Sequence, residues 1–596
     1  MLITAIDFET EAIESRPVYP PKPVGVAICE EGGEPRYLAW GHPTGNNITF
    51  EAARVILKTV LEQPDMHFVF HNAPFDCAVI QEKMQLDVPW HKVHDTMLLA
   101  FLADPFGDLS LKPLCEQLLG LPPDERDAVK EWLIRNGVCR DSKGWGAYIS
   151  KAPGELVGTY AEGDVTRTIA LFNKLYPQIV DAGMDQAYIN ELALMPHIMA
   201  MEKRGVNLDH VALAADTDFY FEKLEWLDEE IARIVGRPVD VDSNAQLADA
   251  IEAAGLSKGF ATTPTGLRST SKESLIGAIN DPTLLGHLLV RGSIATCLRT
   301  FLQPWLVQYQ KHGRLYMQWN QIRNYTDTGA RTGRISSSPN LQNIPVEWEG
   351  LRAQLHKIGY ELPFELPSVR KYIIPDKGKI FIGRDYSAQE MKLLAHFTNG
   401  GMLEKLNENP NEDVHMIAAN IAGITRKVAK TLGFAVLYGA GVGRIAESLN
   451  ITVGEATKIK ATYLKALPEI KDFQQELNKL GRSRSYTETI GGRHYYVQKP
   501  AVVNGVFKTF EYKLANYKIQ GSAADQTKAA MLTFAEKTLF GELVLTVHDQ
   551  LVIQVPVEHA DYEADVLERA MNGAFQDVLG YKITSDESRG YNFAAL

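Results

Sequence analysis

The sequence predicts a multidomain chain, α/β at its start and α+β beyond, and three observations carry that expectation. Its 596 residues exceed what a single hydrophobic core organises. Residues 1 to about 180 alternate between strand-like LITAI, PVGVAI and HFVF and helix-like AARVILKTVLEQ, an α/β pattern. From about 185 to 310 the pattern is mostly helical, beginning with ELALMPHIMAMEKRG; strand-like pieces such as KIFIGRDYS return between 310 and 400. Helices then occupy 400 to about 480, and hairpins mix with helices to the end. KGFATTPTGLRSTSKES (258–274) interrupts the helical stretch and reads as a Gly-, Ser- and Thr-rich loop carrying Lys258, Arg268 and Lys272. No internal repeat or extended low-complexity tract is present.

Composition excludes several classes. There are 61 Lys and Arg against 74 Asp and Glu, a net charge of −13. That balance argues against a protein that simply coats nucleic acid, and leaves room for an enzyme with its basic residues gathered along one cleft. Cys29, Cys77, Cys115, Cys139 and Cys297 are scattered, without zinc spacing or disulfide density, which predicts a reducing, cytoplasmic setting. MLITAIDFET lacks a basic n-region and meets an acid at Asp7, so it is not a signal peptide, and no apolar run is long enough to span a membrane.

The first cluster of chemistry-bearing residues opens at LITAIDFET. Asp7 and Glu9 lie two apart at the end of a buried-type strand, so both carboxylates point the same way. Carboxylates that close repel, and a divalent cation is the usual resolution. HNAPFDCAVI adds Asp76 in or entering a helix, and TYAEGDVTRTIALF puts Tyr160 and Asp164 on one helix face. An isolated DxE is equally a solvated acid pair; the full set in this order is more specific. With it, the chain resembles the DEDD-type 3′→5′ exonucleases of the subclass with a tyrosine in the third motif. That resemblance implies an RNase H-like domain hydrolysing phosphodiesters with two Mg²⁺ held by Asp7, Glu9, Asp76 and Asp164, and Tyr160 orienting the attacking water.

The second cluster turns on GELVLTVHDQLVIQVP (541–556), where two β-branched runs flank His548-Asp549-Gln550. Asp549 reads either as a solvated turn residue or as a metal ligand. KIFIGRDYSAQEMKLLAHF supplies a partner acid, Asp385, at the end of a strand-like run. ITRKVAKTLGFAVLYGAG (424–441) reads as a helix with Thr425 as N-cap and Gly439 as stop. Along it Arg426, Lys430, Phe434 and Tyr438 recur every four residues, a stripe about 18 Å long. Two cations followed by two aromatics suit a nucleotide lying along the helix; the same spacing also suits a surface helix with its aromatics in the core.

Together these three segments resemble motifs A, B and C of family A DNA polymerases. TGRISSSPNLQNIP, DVH (413–415), TETIGGRHYYV, YKIQGSAADQTKAAM and the thumb-like SNAQLADAI…STSKESL follow in the family's order. The resemblance implies a right-hand polymerase after the exonuclease domain: exonuclease 1–184, thumb 185–310, palm 311–399 and 501–596, fingers 400–500. It implies two Mg²⁺ (or Mn²⁺ in their place) at Asp385 and Asp549, assisted by the Tyr386 carbonyl. His415, Arg426 and Lys430 meet the triphosphate, with Lys430 as proton donor to the leaving group. Phe434 packs on sugar and base, Tyr438 closes the insertion pocket, Glu390 is the steric gate against a ribose 2′-OH, and Gln389 adjoins the nucleotide. Arg334, Asn516, Gln520 and His548 contact primer-template, and Lys258, Arg268 and Lys272 form a thumb tip that grips phosphates.

The chain departs from the family at Gln550 (usually Glu), Gln389, Ala388 and Tyr512, and residues 350–366 read as an insertion without a role. With short fingers, no long thumb insertion and no 5′-nuclease domain ahead of residue 1, the compact form is similar to bacteriophage replicative polymerases, which would place it in a host cytoplasm. The implied partners are primer-template DNA and dNTPs, with helicase, primase or single-strand-binding protein as accessory factors to a monomer. Two other readings use the same residues: an exonuclease with a polymerase-like DNA-binding half, and a single-subunit RNA polymerase, which Glu390, Phe434 and the N-terminal acids disfavour.

Overall fold

A computed structural model describes residues 1–596 apart from 123, 141–143, 264, 265, 346, 450, 485 and 504, and apart from the side chains of 124–127 and 484. Two positions of the expected 258–274 loop, 264 and 265, thus lie outside the described residues. The chain packs as two units: Met1–Arg204 with Tyr316–Gln342 and Gly383–Glu587, and Gly205–Leu315 with Asn343–Ile382 and Ser588–Leu596.

The first unit opens with strands β1 (Leu2–Thr10), β2 (Pro23–Glu30), β3 (Arg36–Ala39), β4 (Met66–Phe70) and β5 (Val93–Asp95), in the order β3-β2-β1-β4-β5. β1 is antiparallel to β2 and parallel to β4. Ile3, Ala5, Ile6 and Phe8 are all buried, the continuous apolar run of a strand covered on both faces. Helices α1 (Ala73–Glu82), α2 (Leu111–Leu119) and α3 (Gly154–Asp181) follow. The buried Asp95 accepts backbone N–H groups from Asn72 (3.1 Å), Ala73 (2.9 Å) and Met97 (2.7 Å), tying the start of α1 to the end of β5. This tie fixes where Asp76 stands.

Helix α4 (Asp185–Arg204) connects this sheet to the rest of the unit. That remainder is built on the end of strand β6 (Lys379–Tyr386), from Gly383 onward, helices α5 (Gln389–Thr398), α6 (Val414–Ala422), α7 (Arg426–Leu437) and α8 (Leu514–Lys537), the hairpin β7 (Glu542–Val547) and β8 (Gln550–Pro556), helix α9 (Ala560–Gly573) and the start of strand β9 (Ser585–Gly590), as far as Glu587. Its sheet order is β7-β8-β6-β9. Buried ion pairs hold the unit together. Lys528 on α8 donates to Glu191 on α4 at 2.7 Å and to the Gln321 carbonyl at 2.9 Å, while Arg493 Nε meets Asp525 at 2.5 Å. Arg323 donates to the Pro105 carbonyl at 3.1 Å, pinning the loop that precedes α2.

In the second unit, helices His210–Val235 and Pro282–Cys297 form the frame. The insertion at 350–366 acquires a structural role there. It begins in helix Glu349–Lys357; the Tyr360 ring then stands edge-on to His287 (5.4 Å), and Phe364 stands edge-on to Trp226 (5.9 Å) and Phe219 (6.2 Å). It is an aromatic wedge against the two frame helices. Within the expected loop, Ser271 caps a short helix Lys272–Ala278, and Thr262 bridges to Arg268.

Two stability effects follow. Removing one partner of a buried ion pair leaves the other charge uncompensated at about 3–5 kcal/mol. Lys528→Ala is therefore expected to lower the midpoint of thermal unfolding sharply, and Lys528→Met with Glu191→Leu to restore most of it, as calorimetry of the single and double variants will show. The second concerns Glu202 on α4, which accepts the Trp319 N–H at 2.7 Å and which burial pushes from 4.5 up to about 7. Its folded state holds the proton more tightly than the unfolded chain, so stability is lost as pH rises from about 4.5 through about 7. Glu202→Gln keeps the acceptor and removes the charge; melting curves should show it stabilised above about pH 7 and indistinguishable from the parent below about pH 4.5.

Candidate active sites

The N-terminal acids converge. Asp7 and Glu9 leave the same face of β1, whose register with β2 shifts between Glu9 and Thr10. Asp76 is buried on the first turns of α1, which starts from the left-handed Asn72 (φ 72°), and it accepts the Phe8 N–H at 2.9 Å. Tyr160 and Asp164 share a face of α3, with the Tyr160 hydroxyl in hydrogen-bonding range of the Asp164 carboxyl. Burial, then the neighbouring Asp164 charge, pushes Asp7 up to about 7; burial and the charge of Asp7 raise Glu9 and Asp76 as well.

The sequence missed a residue here. Lys112 on α2 puts its Nζ 2.8 Å from Asp164 Oδ2 and 3.5 Å from the centre of the Tyr160 ring. The signal for it was a lysine on the apolar face of a short helix, in line with the buried Cys115.

Among the described residues no group of three or more His, Cys, Asp or Glu side chains is set to hold a metal ion, so the four-acid cage expected from the sequence is not closed. The contacts explain why: Lys112 takes one oxygen of Asp164, and the Phe8 amide takes one of Asp76. The donor chemistry nevertheless fits a hard divalent cation. All four groups are carboxylates, the charges of Asp7, Asp164 and Asp76 raise Glu9, and Asp164 Oδ1 is buried without a hydrogen-bond partner.

At the second cluster, folding brings together two acids from distant segments. Asp385 ends β6 and Asp549 stands in the two-residue turn between β7 and β8, where Val547 pairs with Gln550. The Tyr386 N–H donates to the Asp549 carbonyl at 3.2 Å, and the two carboxyls lie in hydrogen-bonding range of each other. The surrounding protein, then the Asp549 charge, pushes Asp385 up to about 8; burial also raises Asp549. The backbone on either side is strained, with His548 at φ 56° and Ala388 at φ 53°. The Tyr386 side chain points away, its hydroxyl donating to the Met571 carbonyl at 2.7 Å.

Helix α7 runs as expected. Thr425 accepts the Val428 N–H, and Gly439 ends the helix at φ 63°. Its buried residues are Ala429, Leu432, Gly433, Ala435, Val436 and Leu437, whereas Arg426, Lys430 and Tyr438 are exposed and Phe434 half-buried. The stripe is thus an open face rather than a core face. Phe434 and Tyr438 stack at 6.1 Å, and the buried His415 ring lies 5.8 Å from Phe434. Arg426 is paired with Asp413, the cap of α6. Glu390 is held from two sides, ion-paired with Arg334 and accepting the Tyr438 hydroxyl at 3.0 Å. Gln520 on α8 reaches Tyr438 and, with Arg334, Thr546 and His548, lines a cleft beside the acids; Asn516 is half-buried one turn earlier on α8.

Three expected contacts are corrected. Gln389 is 3 % exposed, and its amide donates to Gln526 (2.9 Å) and the Ala523 carbonyl (3.2 Å), so its side chain is spent on buttressing α8. Arg334 turns to Glu390, which makes it a support of the gate before any DNA contact. Arg268 is taken up by Asp249 and Glu252, which cancels the charge expected to grip phosphate; Lys258 is exposed, and Lys272 opens its helix.

Comparison with known proteins places the chain in a family and matches its fold. The family model described as DNA polymerase family A matches residues 212–594, and that described as 3′-5′ exonuclease matches residues 3–180. The thermostable DNA polymerase I of Thermus filiformis is 31% identical over 437 residues, covering 70% of this chain and 50% of that protein. DNA polymerase I of Borreliella burgdorferi is 26% identical over 592 residues, covering 96% of this chain and 60% of that protein. The chain therefore spans half to three-fifths of the length of these relatives. They are bacterial, and the bacteriophage source expected from the compact form finds no support in them. In fold, the chain matches the solved POL domain of Pol1 from M. smegmatis, in complex with DNA primer-template and dNTP, with a TM-score of 0.78 at 21% identity, covering 100% of this chain and 96% of that one. An exonuclease domain is followed by a polymerase domain, and with a match spanning well over half of its length the chain belongs to DNA polymerase family A.

Proposed function

We propose that the chain is a DNA-templated DNA polymerase that extends a primer 3′-OH with dNTPs and removes mispaired ends with a 3′→5′ exonuclease. The observation that carries this is the meeting of Asp385 and Asp549, from segments far apart in sequence, with Arg334, whose charge acts on Asp549, bonded to the Glu390 that accepts the hydroxyl of Tyr438 on the exposed face of α7. Two divalent ions in each site, held by Asp385, Asp549 and the Tyr386 carbonyl in one and by Asp7, Glu9, Asp76 and Asp164 in the other, supply when bound the activation of the attacking oxygen and the neutralisation of the leaving phosphate oxygen. The remaining work falls to the chain's own side chains.

Lys430 and Arg426 offer two cations to a triphosphate along α7, and Lys430 hands a proton to the departing pyrophosphate. His415 orients the same phosphates from α6. Phe434 supplies a flat surface for sugar and base, and Tyr438 bounds the insertion pocket. Glu390, held by Arg334 and Tyr438, occupies the space a 2′-hydroxyl would need. Gln520, Asn516 and His548 follow the duplex without reading its sequence, and Lys258 and Lys272 remain as phosphate contacts of a thumb. In the exonuclease site, Tyr160 orients the attacking water. The single-subunit RNA polymerase reading is disfavoured by the doubly anchored Glu390.

Two experiments test this reading. Asp549→Ala should lower primer extension by about a thousandfold, the loss of several kcal/mol of transition-state stabilisation, while leaving degradation of single-stranded DNA intact; Asp7→Ala should do the converse. Normal extension by Asp549→Ala would remove the polymerase assignment. Glu390→Ala should relax sugar selection, raising the rNTP-to-dNTP efficiency ratio by about tenfold or more in single-nucleotide incorporation, as expected when a polar gate worth about 1–3 kcal/mol is opened. Tyr438→Phe, which frees one anchor of the gate, should move that ratio in the same direction by less.

A further inference from the structure

Lys112 belongs to none of the motifs that define the two sites. Its side chain is 7 % exposed, on the face that α2 turns to α3. Burying an ammonium is costly unless close partners repay it, and here two do, four residues apart on α3. Nζ lies 2.8 Å from Asp164 Oδ2 and 3.5 Å from the centre of the Tyr160 ring, a short cation–π contact. Its charge also reaches Asp7 and Glu9, counteracting the rise that the other acids impose on them. Arg167, one turn beyond Asp164, stands farther off at 3.7 Å from Oδ1, and its other terminal nitrogen donates to the Pro122 carbonyl. Asp164 Oδ1 is left without a hydrogen-bond partner.

We infer that Lys112 is a positioning residue of the proposed exonuclease centre: its ammonium locks the Asp164 carboxylate and the Tyr160 ring into one arrangement and leaves Oδ1 as the oxygen presented to a cation. The inference rests on the exonuclease reading. It has a consequence that a lysine with a merely structural role lacks. The ammonium competes with any added cation for Asp164 and repels it from Asp7 and Glu9. Removing it therefore tightens metal binding while it slows cleavage, because Tyr160 and Asp164 lose their common anchor.

The test uses the full chain carrying Asp549→Ala, which silences the polymerase acid pair, with and without Lys112→Met. Manganese binding is followed by electron paramagnetic resonance and hydrolysis of a single-stranded oligonucleotide by rapid quench, with thermal melting to confirm folding. Lys112→Met should bind manganese about tenfold more tightly, as loss of a neighbouring like charge implies. It should cleave about ten- to a hundredfold more slowly at saturating oligonucleotide, the effect of a misplaced catalytic group, with KM nearly unchanged. Lys112→Arg, which retains the charge in a different shape, should restore the parent's manganese affinity but only part of the rate. An unchanged cleavage rate in Lys112→Met, or manganese binding that weakens or stays level as the rate falls, would overturn the inference. If Lys112→Met does not fold, full parental rate in Lys112→Arg would overturn it too. Failure of the parent itself to cleave would instead remove the exonuclease reading.

Discussion

Both clusters of this chain depend on one constraint: carboxylates of like charge are held together by backbone that cannot relax to separate them. Asp385 is the penultimate residue of β6, and Asp549 occupies a two-residue turn fixed by the pairing of Val547 with Gln550. The Tyr386 amide donates to the Asp549 carbonyl, so the main chains bearing the acids are bonded to each other. Neither carboxyl escapes by moving its strand, because Leu545, Leu551, Val552, Ile553, Phe381 and Ile382 are buried. The strained backbone at His548 and Ala388 is the local counterpart of that constraint. Raised carboxyls are the electrostatic counterpart, and a site in this condition favours a cation because the cation relieves the repulsion.

The two clusters meet the repulsion differently. In the N-terminal cluster a cation is built in, since Lys112 neutralises Asp164 directly and Arg167 stands behind it. In the second cluster Arg334 tempers Asp549 from a distance while its own bond goes to Glu390. A third acid, Asp586 on β9, adds to the repulsion on Asp385 and is held by the Ser387 hydroxyl at 3.0 Å. One cluster is partly satisfied by its own side chains; the other stays open at the end of its strand.

What the sequence made legible was local. Strand β1 announced itself by its apolar run, and Asp7 and Glu9 by their spacing; Thr425 and Gly439 bounded α7 because caps are short-range chemistry. What it concealed depended on contacts across long separations. Nothing near Gln389 shows that its amide serves Gln526, and nothing near Arg334 shows that Glu390 claims it. Arg268 looked like a phosphate contact because Asp249 and Glu252, which pair with it, lie on the preceding helix Asn244–Ala253, outside its own loop. The insertion at 350–366 gave no signal beyond its aromatics, whose partners Trp226 and His287 lie on helices far earlier in the chain. Charged residues could be placed by type, but their pairing partners could not be read from the neighbouring sequence.

The α7 stripe shows how one close approach joins separate features into a device. The four-residue spacing fitted both an open face and a buried one, and the choice falls to the opposite side of the helix. There Gly433 faces α5, and an added Cβ would lie 2.8 Å from the Met391 methyl carbon, the far end of a flexible side chain. α7 turns Ala429, Leu432, Gly433 and Val436 inward, which leaves Tyr438 on the open side and Phe434 half-buried. The same approach brings the Tyr438 hydroxyl onto Glu390, the residue beside Met391. The gate and the aromatic wall of the proposed insertion pocket are therefore mechanically one piece.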